Sequence, residues 1–241
     1  MTDIEYLKKY LSEDKLDEGL KQLKQGLPVQ YIIGNVNFCG YEIIVNHNVL
    51  IPRFETEELV NYVVEYASKY FEKKLEIADL GTGSGCIAVA LSKKLDVHVD
   101  AVDISRKALV VAKKNIIKNN SNVTIHYGNM LNPLSKKYDI IISNPPYISK
   151  DEEIMDVVKQ NEPHKALYAD NNGLYFYEQI IKDANDYLKE KNMIAFEIGS
   201  NQASEIIKFA KRYFPKSVVV LKQDLQKRDR FIFVFNNIIP S

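Results

Sequence analysis

The chain has 241 residues and a mass of 27.7 kDa, with 46% hydrophobic and 27% charged residues, the profile of a globular protein with one large domain. Its 32 basic and 32 acidic residues cancel, so no overall field draws it onto nucleic acid. Two distant cysteines, Cys39 and Cys86, and four scattered histidines give neither a disulfide framework nor a metal-ligand spacing. The N-terminus lacks a basic start and an apolar core, and no run approaches membrane-spanning length, so a cytoplasmic protein without a membrane partner is expected.

From the N-terminus, Ile4, Leu7, Leu11, Leu16, Leu20 and Leu23 recur at mostly helical spacing among Lys and Glu, which predicts one or two short amphipathic helices over residues 1–26. Gly26-Leu27-Pro28 stops them. Residues 27–52 read as a β-hairpin linker, with arms at Tyr31-Ile32-Ile33 and Tyr41 to Val45 around a turn at Cys39-Gly40. A helix follows, with Thr56 as its expected N-cap and Leu59, Val60, Val63, Val64, Ala67 and Tyr70 as its apolar face.

From Leu75 strands and helices alternate, the pattern of a doubly wound α/β sheet filling residues 53–241 together with the preceding helix. Strands are expected near Ile77 to Leu80, Val97 to Asp103, Val123 to Tyr127, Tyr138 to Ser143 and Met193 to Ile198. Helices are expected near Cys86 to Lys94, Arg106 to Asn119, Leu174 to Lys189 and Gln202 to Tyr213. Ser217 to Lys222 and Arg230 to Phe235 leave no room for a helix between them, so they pair antiparallel and the sheet is mixed. The charged run between them reads as a solvated loop, in which Arg228 and Arg230 could grip an acidic partner.

Three stretches carry chemistry. Asp79-Leu80-Gly81-Thr82-Gly83-Ser84-Gly85 follows the first strand and precedes a helix, where glycines let backbone approach a ligand. A dinucleotide fingerprint would have its third glycine where Cys86 stands, and the Gly-Lys-Ser/Thr ending of a phosphate loop is missing. The other reading is an ordinary βα turn. Asp103 ends the second strand at the separation expected of a carboxylate that accepts ribose hydroxyls; a solvated loop aspartate is the bland alternative. Asn129-Met130 lies where an adenine would rest, or makes a simple turn. Asp79 faces an amino group or caps a helix. Cys86, at a helix start without a histidine to activate it, reads as a packing residue.

The third stretch is Asn144-Pro145-Pro146-Tyr147, at the exit of a buried strand. Two prolines fix the backbone and leave rigid carbonyl acceptors, Asn144 adds a side-chain oxygen and Tyr147 a π-face. Such a set suits an NH2 group on an sp2 carbon.

Together these residues resemble class I S-adenosylmethionine-dependent methyltransferases acting on exocyclic or amide nitrogens. More narrowly, the chain looks like the HemK/PrmC family, the protein-(glutamine-N5) methyltransferases of peptide chain release factors. The likeness includes Gly26 to Gly34, Phe38-Cys39-Gly40, Leu50 to Glu57, Glu162 to Leu167, Gly173-Leu174, Phe196 to Gly199 and Asp224-Leu225. Phe54 stands where the family usually has proline, and Lys227 where it usually has glycine. The resemblance implies a Rossmann-like, seven-stranded mixed sheet and a monomer. It implies S-adenosylmethionine held by Asp79, Gly81, Thr82, Gly83, Ser84, Gly85, Asp103, Asn129, Met130 and Asn144. The substrate amide would meet Asn144, Pro145, Pro146 and Tyr147, with Asn144, Pro145 and Tyr147 catalytic. The substrate would be the Gly-Gly-Gln glutamine of class 1 release factors. Two alternatives remain at this point: a nucleic-acid enzyme acting on adenine N6 or guanine N2, and a non-catalytic binding module.

Overall fold

The computed structural model describes residues 2–72 and 74–240. Helices α1 (Asp3–Tyr10) and α2 (Glu13–Lys24) pack on each other and on α3 (Val29–Ile33), burying Leu7 completely. A capping box opens α1: the Thr2 hydroxyl accepts from the Glu5 N–H, and the Thr2 N–H donates to the Glu5 carboxylate. Among the described residues no helix is long and apolar enough to cross a membrane.

Tyr31 to Ile33, expected as a hairpin arm, are helical instead. Pro28 opens the turn, Gly34 closes it in left-handed backbone at φ 86°, and the Tyr31 hydroxyl donates to the Val49 carbonyl at 2.6 Å. The hairpin begins one residue later, with β1 (Asn35–Phe38) paired to β2 (Tyr41–Ile44). Cys39 and Gly40 both adopt positive φ, as a tight two-residue hairpin turn requires.

Helix α4 (Phe54–Tyr70) leads into β3 (Ile77–Leu80), α5 (Cys86–Leu95), β4 (Val99–Asp103), α6 (Arg106–Lys118), β5 (Val123–Tyr127) and β6 (Tyr138–Ser143). After two short helices, α7 (Asp156–Asn161) and α8 (His164–Leu167), which the sequence pattern did not announce, come α9 (Tyr175–Asp183), β7 (Leu188–Glu197), α10 (Ala203–Tyr213), β8 (Val218–Gln223) and β9 (Asp229–Asn236). The seven strands lie in the order β5-β4-β3-β6-β7-β9-β8, and β9 alone runs against its neighbours, so the mixed sheet with a reversed C-terminal strand is as expected.

Both faces of the sheet are covered, which is why its central strands are buried along nearly their whole length rather than alternating. Ile77, Val99, Ile140 and Ile142 face a core shared with α4, α5 and the hairpin residues Val36, Phe38 and Ile43. Ala78, Leu80, Val102 and Ile141 face the core built with α9 and α10. Asn115, fully buried in α6, ties the hairpin to the glycine loop: its Oδ1 accepts from the Ile44 N–H at 2.7 Å, and its Nδ2 donates to the carbonyls of Ile44 at 3.0 Å and Ser84 at 2.8 Å.

Three further expectations are corrected. The helix expected over Leu174 to Lys189 stops at Asp183; a 3-10 turn spans Ala184–Tyr187, and Leu188 already pairs with Tyr138 as β7. Strand pairing and the ion pair of Lys189 with Asp139 at 2.7 Å override the helix propensity of that Leu-Lys-Glu-Lys run. Thr56 is not the N-cap of α4: Arg53 holds that place, and Thr56 lies in the first turn, 3% exposed. Arg228 and Arg230 do not wait for an acidic partner, since both hold Asp224 and Arg228 also reaches Glu55. In the same loop Lys227 takes a left-handed φ of 62°, a conformation a glycine adopts without strain.

Replacing Asn115 with alanine strands the half-buried Ile44 N–H and the two carbonyls. Denaturant unfolding is expected to register a loss of about 2 to 3 kcal/mol, with hydrogen exchange faster at the Ile44 amide.

Candidate functional site

Strands β3, β4 and β6 run parallel and end level, with Leu80 opposite both Val102 and Ser143. The loops that follow enclose a cavity of about 510 Å3 at the carboxyl edge of the sheet, where open α/β sheets bind ligands. Gly81 and Gly83 come from the first loop, Asp103 from the end of β4, Asn129 and Met130 from the loop after β5, and Asn144 and Pro146 from the loop after β6. These residues, widely spaced in sequence, are brought to one wall.

Backbone geometry explains the glycines. Gly81 and Gly83 adopt φ of 73° and 55°, and a side chain begun at Gly81 would meet no atom within 4 Å, so the bare backbone faces open cavity. The loop is anchored from behind, because the Gly81 and Thr82 N–H groups both donate to the Val102 carbonyl at 2.9 Å. Asp103 is fixed by two backbone amides: Oδ2 accepts from Gly83 N–H at 2.8 Å and Oδ1 from Ser105 N–H at 2.7 Å. Burial raises its pKa despite them.

Other residues of the expected set stand behind the wall. The Thr82 hydroxyl donates to Asp79 Oδ2 at 2.6 Å, and the Ser84 carbonyl is taken by Asn115. Gly85 lets α5 approach α6, since a Cβ there would come within 3.2 Å of Ala112. Asp79 is completely buried and its Oδ1 has no hydrogen-bond partner. Burial pushes its carboxyl up to about 7, and the Thr82 hydroxyl and Ala88 amide counter it only in part. Cys86 is buried as well, its thiol pushed up to about 12, in keeping with a packing residue.

The loop after β6 is held at both ends. At its entry the Ser143 hydroxyl donates to the Leu80 carbonyl at 2.7 Å. At its exit Gln202 Nε2 donates to the Tyr147 carbonyl at 2.9 Å, and Gly173 packs so close that a Cβ would fall 1.9 Å from that oxygen. Asn144 Nδ2 donates to the Thr56 hydroxyl at 3.1 Å. Pro145 is buried and Tyr147 half-buried against the core that holds Tyr177 and Phe196; neither belongs to the cavity wall. Burial, then the nearby Glu197 carboxylate, push the Tyr147 phenol up to about 12.

Several wall residues were not singled out from the sequence: His47 to Leu50 after the hairpin, Pro163 to Ala166, and Tyr175 with Phe176. An ion pair between Arg53 and the buried Glu162 joins the first two of these segments, and Glu162 also accepts from the Ile51 N–H at 3.2 Å. Both partners sit inside stretches that carry the family likeness, which was the available signal.

The buried carboxyls predict a pH dependence. Asp79 and Glu197 keep their protons up to about 7 in the folded chain, Glu197 chiefly through burial, whereas the unfolded chain releases them near 4. Between those values the folded state binds more protons, so stability falls as pH rises through that window and levels off above it. Asp103 adds the same sign. Asp100, where contacts to His126, Lys136 and Tyr138 outweigh burial, and Asp224, where its arginines do, are shifted downward and act below about 4. The melting midpoint of the ligand-free protein is therefore expected to drop from about pH 5 to about pH 8, and Asp79→Asn to flatten the slope. A midpoint that rises over this interval would contradict the assignment.

Comparison with known proteins agrees with the geometry. Residues 62–167 match the Methyltransferase small domain family. The release factor glutamine methyltransferase of Bacillus subtilis is 41% identical over 237 residues, covering 94% of this chain and 82% of its own length. That of Bacillus cereus is 37% identical over 228 residues, covering 92% and 81%. Among solved structures, a methyltransferase from Pyrococcus furiosus matches 83% of this chain and 90% of its own with a TM-score of 0.61 at 18% identity, a likeness of fold. The sheet is thus the class I, Rossmann-like methyltransferase sheet, and at this level of identity over nearly its whole length the chain belongs to the release factor glutamine methyltransferase family.

Proposed function

We propose that this protein transfers a methyl group from S-adenosylmethionine to the side-chain amide nitrogen, N5, of the Gly-Gly-Gln glutamine in class 1 peptide chain release factors. The observation that carries the proposal is the shared wall: Asn144 and Pro146 border the same cavity as Gly81, Gly83, Asp103, Asn129 and Met130. An acceptor suited to a planar NH2 group thereby adjoins a surface suited to a nucleoside.

The cavity fits the cofactor on its own chemistry. The glycine backbone is open to it, and each Asp103 oxygen, bonded once to a backbone amide, keeps a lone pair for a ribose hydroxyl. Asn129 and Met130 bound the purine, with Asp79, Thr82, Ser84 and Gly85 shaping the loop from behind. When bound, S-adenosylmethionine supplies an electrophilic methyl group on a sulfonium centre.

The chain's own part is alignment. An amide lone pair is delocalised, so the nitrogen reacts only when held in line and with its protons engaged by acceptors. We assign those two N–H bonds to Asn144 Oδ1 on the wall and to the carbonyl of Pro145 just behind it, and the prolines keep both acceptors stiff. Asn144 is no base, since a carboxamide does not titrate in the useful range; the proton leaves after transfer. Tyr147 lies off the cavity wall, and we assign it the planar face of the glutamine as it enters.

The direct test is to incubate the protein with labelled cofactor and purified release factor and locate the label by peptide mass. Methyl on the Gly-Gly-Gln glutamine is expected; label on any other residue overturns the substrate assignment. Asn144→Ala is expected to lower turnover on the order of a hundredfold or more with cofactor affinity retained. Asp103→Ala is expected to weaken cofactor binding about tenfold or more in calorimetry; an unchanged affinity would remove Asp103 from the ribose site.

A further inference from the structure

Behind Asn144 lies a buried relay that no step of the methyl transfer uses directly. Glu197 ends β7, and because Ser143 lies opposite Phe196, Asn144 follows β6 beside Glu197. Thr56 reaches the same spot from the first turn of α4. All the distances are those of hydrogen bonds: Thr56 Oγ1 donates to Glu197 Oε2 at 2.7 Å and accepts from Asn144 Nδ2 at 3.1 Å. Thr56 is 3% and Glu197 2% exposed, so water does not compete for these atoms.

A hydroxyl has one proton. Once Glu197 Oε2 has taken it, Thr56 offers Asn144 only lone pairs, and the carboxamide must turn its NH2 end inward. The opposite orientation would face oxygen against oxygen in a dry pocket, which is costly. The Arg230 charge acts on Glu197 in favour of its ionised form and Glu55 against it, and Asn144 itself leans on the same carboxylate. Arg230 in turn is held by the Ile198 carbonyl at 2.8 Å and by Asp224.

We propose that Thr56 and Glu197 are positioning residues that fix the Asn144 carboxamide with its oxygen, rather than its NH2, toward the substrate amide. The inference rests on the reading that Asn144 Oδ1 receives the glutamine N–H. An asparagine free to rotate would present a donor to a donor for much of the time, and turnover would fall although nothing touching the substrate had been removed.

The test compares Thr56→Val, which keeps shape and loses the hydroxyl, with Thr56→Ser, which keeps the hydroxyl. For Thr56→Val, kcat on release factor is expected to fall about tenfold, with release-factor KM, cofactor affinity by calorimetry and melting midpoint near those of the parent protein. Thr56→Ser is expected to restore kcat to within about threefold. In an Asn144→Ala background Thr56→Val is expected to cost nothing further, as coupled residues require. Should the valine variant fail to fold, Thr56→Ala takes its place with the same expectation. Parent-like kcat in the hydroxyl-free variant, a serine variant as slow as it, or full additivity with Asn144→Ala each overturns the relay. Failure of Asn144→Ala itself to slow turnover would instead overturn the functional reading on which the relay rests.

Discussion

The parallel register of β3, β4 and β6 is the constraint from which the site follows. With Leu80 opposite Val102 on one side and Ser143 on the other, three strands reach one line together. Their next residues, Gly81, Asp103 and Asn144, therefore emerge as neighbours although more than sixty positions separate the first from the last. A one-residue slip of β6 would also turn every side chain of that strand to the opposite face. The Ser143 hydroxyl on the Leu80 carbonyl and the two loop amides on the Val102 carbonyl lock that line from both sides.

Rigidity downstream of this line comes from unlike sources. The glycine loop is stiff because its amides are spent on β4 and on Asp103, and the loop after β6 because two prolines restrict it and Gln202 and Gly173 clamp its exit. Chemistry that depends on aligning a weak nucleophile gains from both, since a misplacement of about 1 Å is enough to cost a hundredfold in rate. Segments 47–50 and 163–166 close the cavity from outside the sheet, and the Arg53–Glu162 pair couples them.

How much of this is legible in the chain depends on the range of the interaction involved. Strands β3, β5 and β6 are short runs rich in strand-favouring residues and bounded by turn residues, and their limits follow from the sequence; so do the glycine loop and the Asn-Pro-Pro-Tyr turn, whose residue types state their purpose locally. Leu188 and Lys189 read as the end of a helix by propensity and become strand because Tyr138 offers Leu188 a partner, which no local window contains. Tyr31 to Ile33 reads as strand by β-branching, yet Pro28 and Gly34 bracket a space that fits a single helical turn. Thr56 is the sharpest case. Threonine before acidic residues is a fair helix cap, and what overrules that reading is Glu197, 141 positions away, which needs its hydroxyl.

The placement of acids argues that these positions are kept for what they meet rather than for stability. Asp79, Asp103 and Glu197 all lie at or near the carboxyl ends of strands, fully or partly buried, with pKa values raised, and their nearest partners are neutral amides and hydroxyls. Apolar replacements would relieve the desolvation penalty that each carries. The acids in the rest of the fold are arranged otherwise: Asp100 faces Lys136 and two histidines, Asp139 faces Lys189, and Asp224 faces two arginines. Of the three only Asp103 borders the cavity, while Asp79 and Glu197 stand behind it and accept from the hydroxyls of Thr82 and Thr56, so the uncompensated edge is one acid facing the cavity, backed by two whose donors come from the chain itself.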